Sequence, residues 1–206
     1  QEARLLVDWF YPEITGKRPD DRLRQSFDQA WAACLSPLAD HHQVLVLRDF
    51  HVDNLMELQD ERGSRRCGLL DFQDGILGAC EYDLVSLLQD ARRDLGDGLE
   101  PQLLNHYIGN APDYLGSADE IRHRYALLGA QRHARILGVF VRLCRRDAKP
   151  RYLKFITRVV AQLQTALADA GLSEIALFLE SELPDWTDKA LDLGRELQIS
   201  QGVSNA

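Results

Sequence analysis

Asp49, Asn54 and Asp71 are the residues of this chain whose types and spacing best suit chemistry. Asp49 leaves a short apolar run, Val44-Leu45-Val46-Leu47, and Asn54 follows five positions later, just before another apolar stretch. A third run, Cys67–Leu70, delivers Asp71. A carboxylate placed beside a substrate hydroxyl can accept its proton, and a carboxylate with an amide oxygen is a suitable hard ligand pair for magnesium. Phosphoryl transfer asks for little more. Positioning of the nucleophile and neutralisation of phosphate charge supply most of the acceleration. An Asp-x4-Asn spacing alone arises by chance in many proteins, and an acid after a strand is often a turn residue or a helix cap. The weight comes from the ordered combination of strand, Asp-x4-Asn, strand, turn, strand and Asp-Phe, all within about 30 residues.

The elements that must hold these residues are legible as periodicities. Val44–Leu47 is a short continuous apolar run with two β-branched residues, which predicts a buried strand. Asn54–Leu58 predicts a second, and the polar run Gln59–Arg66 with Gly63 predicts a hairpin turn into a third, Cys67–Leu70. Before them, Glu2–Tyr11 repeats apolar residues at helical spacing and stops near Thr15-Gly16. A helix from an Asp20 cap to Leu35 carries Leu23, Phe27, Ala30, Trp31 and Cys34 on one face. From Tyr82 onward the chain reads as nearly all helix, in segments near 82–93, 99–109, 117–146, 150–171 and 173–182. Pro150 sits where a first-turn proline is tolerated, and Gly171 marks a helix end. The predicted class is α+β, mostly α, with a small β-hairpin or three-strand element carrying the loop. Residues 1–197 are expected to form one lobe, with 198–206 a frayed tail.

Composition sets outer limits. Apolar residues make up 45% and charged residues 27%, ordinary values for a globular chain, and no stretch approaches the ~20 apolar residues that cross a bilayer. No secretory signal is visible, so a cytoplasmic protein is expected. Cys34, Cys67, Cys80 and Cys144 show no CxxC or Cys/His pattern and read as buried thiols of a reducing compartment. The net charge of -8 argues against a nucleic-acid partner. A metal hydrolase built on His51 and nearby acids is disfavoured, since His41 and His42 fall in an expected surface turn and no clustered histidine ligands appear.

The strand–loop–strand pattern matches the protein-kinase arrangement of a catalytic-loop Asp and Asn followed by a second metal-binding Asp. More specifically, Leu47-Arg-Asp-Phe-His-Val-Asp-Asn54 resembles the HGDLHxxN loop of the aminoglycoside phosphotransferase family. That resemblance implies ATP and Mg²⁺ as cofactors, Asp49 as the base, and Asn54 and Asp71 as metal ligands. His51 falls on the loop's second histidine, which braces the loop or borders the substrate, and Asp74 on a second acid after the metal ligand. Tyr82-Asp83-Leu84 resembles the family's YDLA element, whose Asp helps fix the loop, although a plain N-cap explains Asp83 equally well. Leu47 replaces the family's first loop histidine, a scaffold position.

Downstream, Gln131–Leu143, then Arg146-Asp147, Lys149 and Arg151-Tyr-Leu153, is similar to bacterial cell-wall amino-sugar kinases that phosphorylate the anomeric hydroxyl of N-acetylmuramate and N-acetylglucosamine. Leu6–Pro12 with Thr15-Gly16, and later Phe27 and Trp31, are similar to the same group. Arg132, His133 and Arg135 are the candidate sugar contacts. Between Ile121 and Val160 there are eleven Lys/Arg against one acid, Asp147, while residues 169–196 carry eight acids against two bases. At 100° per residue Arg124, Gln131, Arg135, Gly138, Arg142 and Arg145 share one stripe of their helix. Such a stripe must pair with acids, here expected from 169–196, or line a cleft, or face water.

The resemblance also implies a smaller N-terminal lobe with a phosphate-covering loop and a lysine. No GxGxxG is present, and the chain opens on a helix, so it is expected to be a piece that needs that lobe and is inactive alone. An aminoglycoside or other small-alcohol kinase is the nearest alternative, although polycationic substrates suit an acidic pocket better than an arginine-rich helix. A silent pseudokinase scaffold is the other, and the presence of all three polar residues speaks against it.

Overall fold

The computed structural model of the chain describes residues 2–39, 41 and 43–203. They form two compact units, a helical unit of residues 1–36 with 129–206 and a ribbon unit of residues 37–128.

The helical unit opens with a 3-10 turn (Glu2–Arg4), a π-helical stretch (Leu6–Phe10) and α1 (Tyr11–Thr15). A single regular helix was expected here. Pro12 in the first turn of α1 has no N–H to give to the preceding turn, which accounts for the change of winding before it. Gly16, at φ 69°, closes α1 by donating its main-chain N–H to the Pro12 carbonyl. In α2 (Asp21–Leu35), Asp20 accepts a hydrogen bond from the Leu23 amide at 2.7 Å and caps the helix as its type predicts. Leu23, Phe27 and Trp31 recur every four residues and are buried.

Four strands form two antiparallel ribbons in the other unit: β1 (Gln43–Val46), β2 (Leu55–Glu57), β3 (Cys67–Leu69) and β4 (Ile76–Ala79). β2 and β3 make the expected hairpin, and β1 pairs with β4, a strand absent from the sequence reading. α3 (Glu81–Leu88) and α4 (Leu99–Asn110) follow, and Val46, Tyr82, Val85, Leu88, Tyr125 and Leu128 make this unit's core. Cys67 is exposed and the other three cysteines are half-buried, so the expectation of buried thiols fails.

α5 (Ala118–Arg145) runs on from the ribbon unit into the helical unit. A 3-10 segment headed by Pro150 then leads into α6 (Ile156–Asp169), α7 (Ser173–Glu182) and α8 (Trp186–Val203). Gly171, at φ 63°, follows the end of α6. α8 lies beyond the last predicted helix and covers part of the expected frayed tail; residues 204–206 lie outside the described ones. Leu163, Ile175, Leu179 and Leu183 are at most 1% exposed, and Phe27 packs on Phe178 with ring centroids 5.4 Å apart. Burial of each such side chain contributes about 1.5–3 kcal/mol. Among the described residues no helix is long and apolar enough to cross a membrane.

Two arginines of the α5 stripe meet acids of the opening segment. Arg135 pairs with Glu2 at 3.5 Å and Arg145 with Glu13. Gly138 permits the approach. A Cβ there would collide with the Leu5 carbonyl, so glycine lets the opening segment lie directly on the stripe. Arg124, on the ribbon-unit part of α5, donates to Glu81 at 2.8 Å.

Candidate active site

Strand pairing places the candidate residues. β1 leads through residues 47–54 into β2, and β3 leads through residues 70–75 into β4. Because β1 pairs with β4 and β2 with β3, these two connections run side by side at one end of the ribbons. Val46 pairs with Ile76 and Leu55 with Leu69, and the Leu70 amide donates to the Asn54 carbonyl at 2.9 Å. Asp71 is thereby delivered beside the loop that carries Asp49 and Asn54.

Within the loop, successive backbone bonds fold the chain tightly. The Asp49 amide donates to the Leu47 carbonyl (2.9 Å), that of His51 to Asp49 (3.1 Å) and that of Asn54 to His51 (2.8 Å). Asn54 Nδ2 donates to the Asp49 carbonyl at 2.8 Å and lies 3.4 Å from His51 Nε2. The amide nitrogen is thus used inside the loop, and Oδ1 remains as the atom that can take a cation. Asp49, Asp71 and Asp74 are exposed, whereas His51 and Asn54 are half-buried. Asp71 Oδ1 accepts from Gln73 Nε2, which leaves Oδ2 for a second ligand bond. An amide oxygen and a carboxylate are hard donors of the kind magnesium takes, so the residues present fit such an ion.

Two residues of this end are held in the left-handed region, Arg48 at φ 70° and Asp71 at φ 56°. Such backbones cost about 1–3 kcal/mol each and persist only where surrounding bonds impose them. For Arg48 those bonds are visible. Asp83 stands in the first turn of α3 and accepts from the amides of Leu47 (2.7 Å) and Arg48 (3.0 Å), while Ser86 Oγ donates to the Arg48 carbonyl at 3.2 Å. Hydrogen bonds to a charged group are worth about 1.5–3 kcal/mol, enough to offset the strain.

His51 titrates below its usual range, first because burial disfavours the charged ring and then because of the Arg92 charge. It is therefore a neutral ring at physiological pH. Asp53 also titrates below the usual carboxylate range, chiefly because Arg93 donates to it.

Asp49, His51, Asn54, Asp71, Asp74 and Asp83 all fall in the ribbon unit, on the two connections and the helix that follows. Arg132, His133 and Arg135 fall in the helical unit, where Arg132 is 7% and His133 0% exposed. Burial, then the Arg132 charge, lowers the His133 pKa to about 3. His41, expected in a surface turn, instead has a side chain only 14% exposed and 3.9 Å from the Glu81 carboxylate.

Sequence reasoning missed Asp53, Ser86, Asp90, Arg92 and Arg93. Arg93 donates to Asp53 at 2.6 Å and Arg92 approaches it at 3.7 Å, while Arg92 also donates to the buried Asp90 at 3.1 Å. The Asp90-Ala-Arg-Arg-Asp94 run just after α3 was the signal available.

A sequence model of the phosphotransferase enzyme family matches residues 1–120. Three relatives are each named N-acetylmuramate/N-acetylglucosamine kinase. That of Caulobacter vibrioides is 37% identical over 180 residues, covering 87% of this chain and 49% of the relative. That of Neisseria meningitidis is 35% identical over 173 residues (77% and 49%), and that of Pseudomonas aeruginosa 29% over 179 (82% and 49%). The chain spans about half the length of the curated relatives it matches.

Proposed function

The chain belongs to the phosphotransferase enzyme family, and from that premise we propose that it is the metal- and hydroxyl-handling part of a cytoplasmic, ATP-dependent amino-sugar kinase. The acceptor is N-acetylmuramate or N-acetylglucosamine, as the names of its relatives suggest, and its anomeric hydroxyl is the one the resemblance to cell-wall amino-sugar kinases implies. The observation that supports this reading is the pair of adjacent connections, 47–54 and 70–75, which bring Asp49, Asn54 and Asp71 to one end of the ribbons.

Asp49 accepts the proton of the sugar hydroxyl as that oxygen attacks. Asn54 Nδ2 bonds the Asp49 main-chain carbonyl and so helps hold the loop from which the carboxylate reaches the hydroxyl. Asn54 Oδ1 and Asp71 would hold Mg²⁺, while neutral His51 fills the inside of the loop without adding charge. Bound Mg²⁺-ATP supplies the phosphoryl group and an ion that neutralises its charge.

The test is ADP release by the complete protein with Mg²⁺-ATP. Turnover is expected with N-acetylmuramate or N-acetylglucosamine and none with kanamycin-like aminoglycosides. The reverse pattern would overturn the substrate assignment.

A further inference from the structure

The loop that carries Asp49 and Asn54 is held from one side by α3, through Asp83 and Ser86, as far as Arg48. Those bonds end before the second half of the loop, where Asn54 stands. The residue immediately before Asn54 is Asp53, in the 3-10 turn Val52–Asn54. Its Oδ1 accepts from Arg93 at 2.6 Å and its Oδ2 lies 3.7 Å from Arg92. Arg92 is itself fixed, because its Nε (3.1 Å) and its main-chain N–H (3.0 Å) both donate to Asp90 Oδ1, and Asp90 is only 5% exposed. The segment 81–93 therefore grips the loop at both ends, by hydrogen bonds at Leu47 and Arg48 and by ion pairs at Asp53.

The geometry points to the Asp53–Arg92–Arg93 cluster as the positioning device for Asn54: it sets the turn from which the Asn54 amide oxygen reaches the metal. This rests on the reading of Asn54 as a metal ligand. Asp53 and Arg93 are both about half exposed, so solvent screens the pair and it adds little to folding stability. Its leverage is geometric. A displacement of about 1 Å at a group that must meet a reacting centre can cost roughly 10²-fold in rate, far more than the pair itself is worth. Asp53 touches neither hydroxyl nor phosphate in this assignment. It acts through its neighbour.

The complete protein, with Asp53→Asn, Arg93→Ala, Arg93→Lys and the Asp53→Asn/Arg93→Ala double variant, tests this in two arms. In the kinetic arm, Asp53→Asn and Arg93→Ala are each expected to lower kcat about tenfold and raise the Mg²⁺ concentration for half-maximal rate about fivefold. KM for the sugar should stay within about twofold. Arg93→Lys should restore most of the rate, and the double variant should be no worse than either single one, since both remove the same contact. A loss of folded protein alone would lower kcat and leave the Mg²⁺ requirement where it was.

In the exchange arm, which needs no turnover, amide hydrogen exchange in residues 51–55 should speed up about fivefold or more in Asp53→Asn, with Leu47 and Arg48 unchanged. Wild-type Mg²⁺ dependence and exchange in Asp53→Asn would overturn the inference. So would faster exchange with an unchanged Mg²⁺ requirement, which would make the cluster structural only. If the unaltered protein phosphorylates no sugar, the reading above falls. Unchanged exchange would then still overturn the grip on the loop, and faster exchange would still support it.

Discussion

Phe27, Leu137, Leu163 and Leu179 of the helical unit are 0–1% exposed, whereas Leu45, Phe72 and Leu77 of the ribbon unit are 65%, 60% and 71% exposed. Much of the helical unit is therefore held by apolar burial, a non-directional force spread over many side chains. The end of the ribbons that bears Asp49 and Asn54 keeps its shape differently. A few directional bonds fix it, from Asp83 and Ser86 to the loop backbone, from Asn54 to Asp49, and from Arg93 to Asp53. Diffuse packing tolerates small displacements, whereas a catalytic constellation does not. The loop end of the ribbons and the core of the helical unit should therefore fail in different measurements when mutated, activity in the first and stability in the second.

Asp49→Asn gives the largest separation. It should lower kcat by about 10²–10⁴, the usual worth of general-base catalysis, while the thermal midpoint stays within a degree or two because Asp49 is exposed. Leu163→Ala should do the opposite. Leu163 is 0% exposed, and truncating such a side chain costs about 2–5 kcal/mol of stability. Its kcat, corrected for the folded fraction, should match the unaltered protein. Should Asp49→Asn unfold the chain as readily as Leu163→Ala, the comparison would break, because the loop would then be part of a packed core.

The same contrast explains what the sequence disclosed. α2 was legible to within a residue because its signals are local: a capping Asp20 and apolar residues at fixed spacing. The loop was legible for the same reason, since Asp49, His51 and Asn54 lie within six residues. β4 was not, because Ile76–Ala79 is only four residues long, contains Gly78, and is a strand by virtue of β1, about 30 residues earlier. Asp53 and Arg93 stand 40 residues apart, and Arg145 and Glu13 are separated by 132. Neither pair is written in any local window. The stripe on α5 could be read from periodicity, but its partners could not. Gly138, which decides them, looks like any helical glycine until the opening segment is laid against it.

The smallest expected effect sharpens the contrast by asking which unit senses acid. His133 is fully buried in the helical unit with its pKa near 3, against an ordinary value of 6.5. A depressed value means that the unfolded chain binds a proton more readily than the folded one below pH 6.5. Stability is then fully present above about pH 6.5 and is lost progressively as pH falls toward 3. Between pH 7 and pH 5 that linkage amounts to about 2 kcal/mol, set almost wholly by the unfolded value, because at pH 5 the folded ring is still neutral. His51 in the loop is also depressed, but its ring is only half-buried, so its share of the slope should be smaller. Thermal midpoints of His133→Gln and His51→Gln, followed from pH 7 to pH 5, give the check. The slope with pH is the quantity to read, since either substitution can shift the midpoint at neutral pH. His133→Gln should flatten the slope and His51→Gln should leave most of it. A slope that follows His51 instead would place the chain's acid sensitivity in the loop, and the unit held by apolar packing would no longer be the one that carries it.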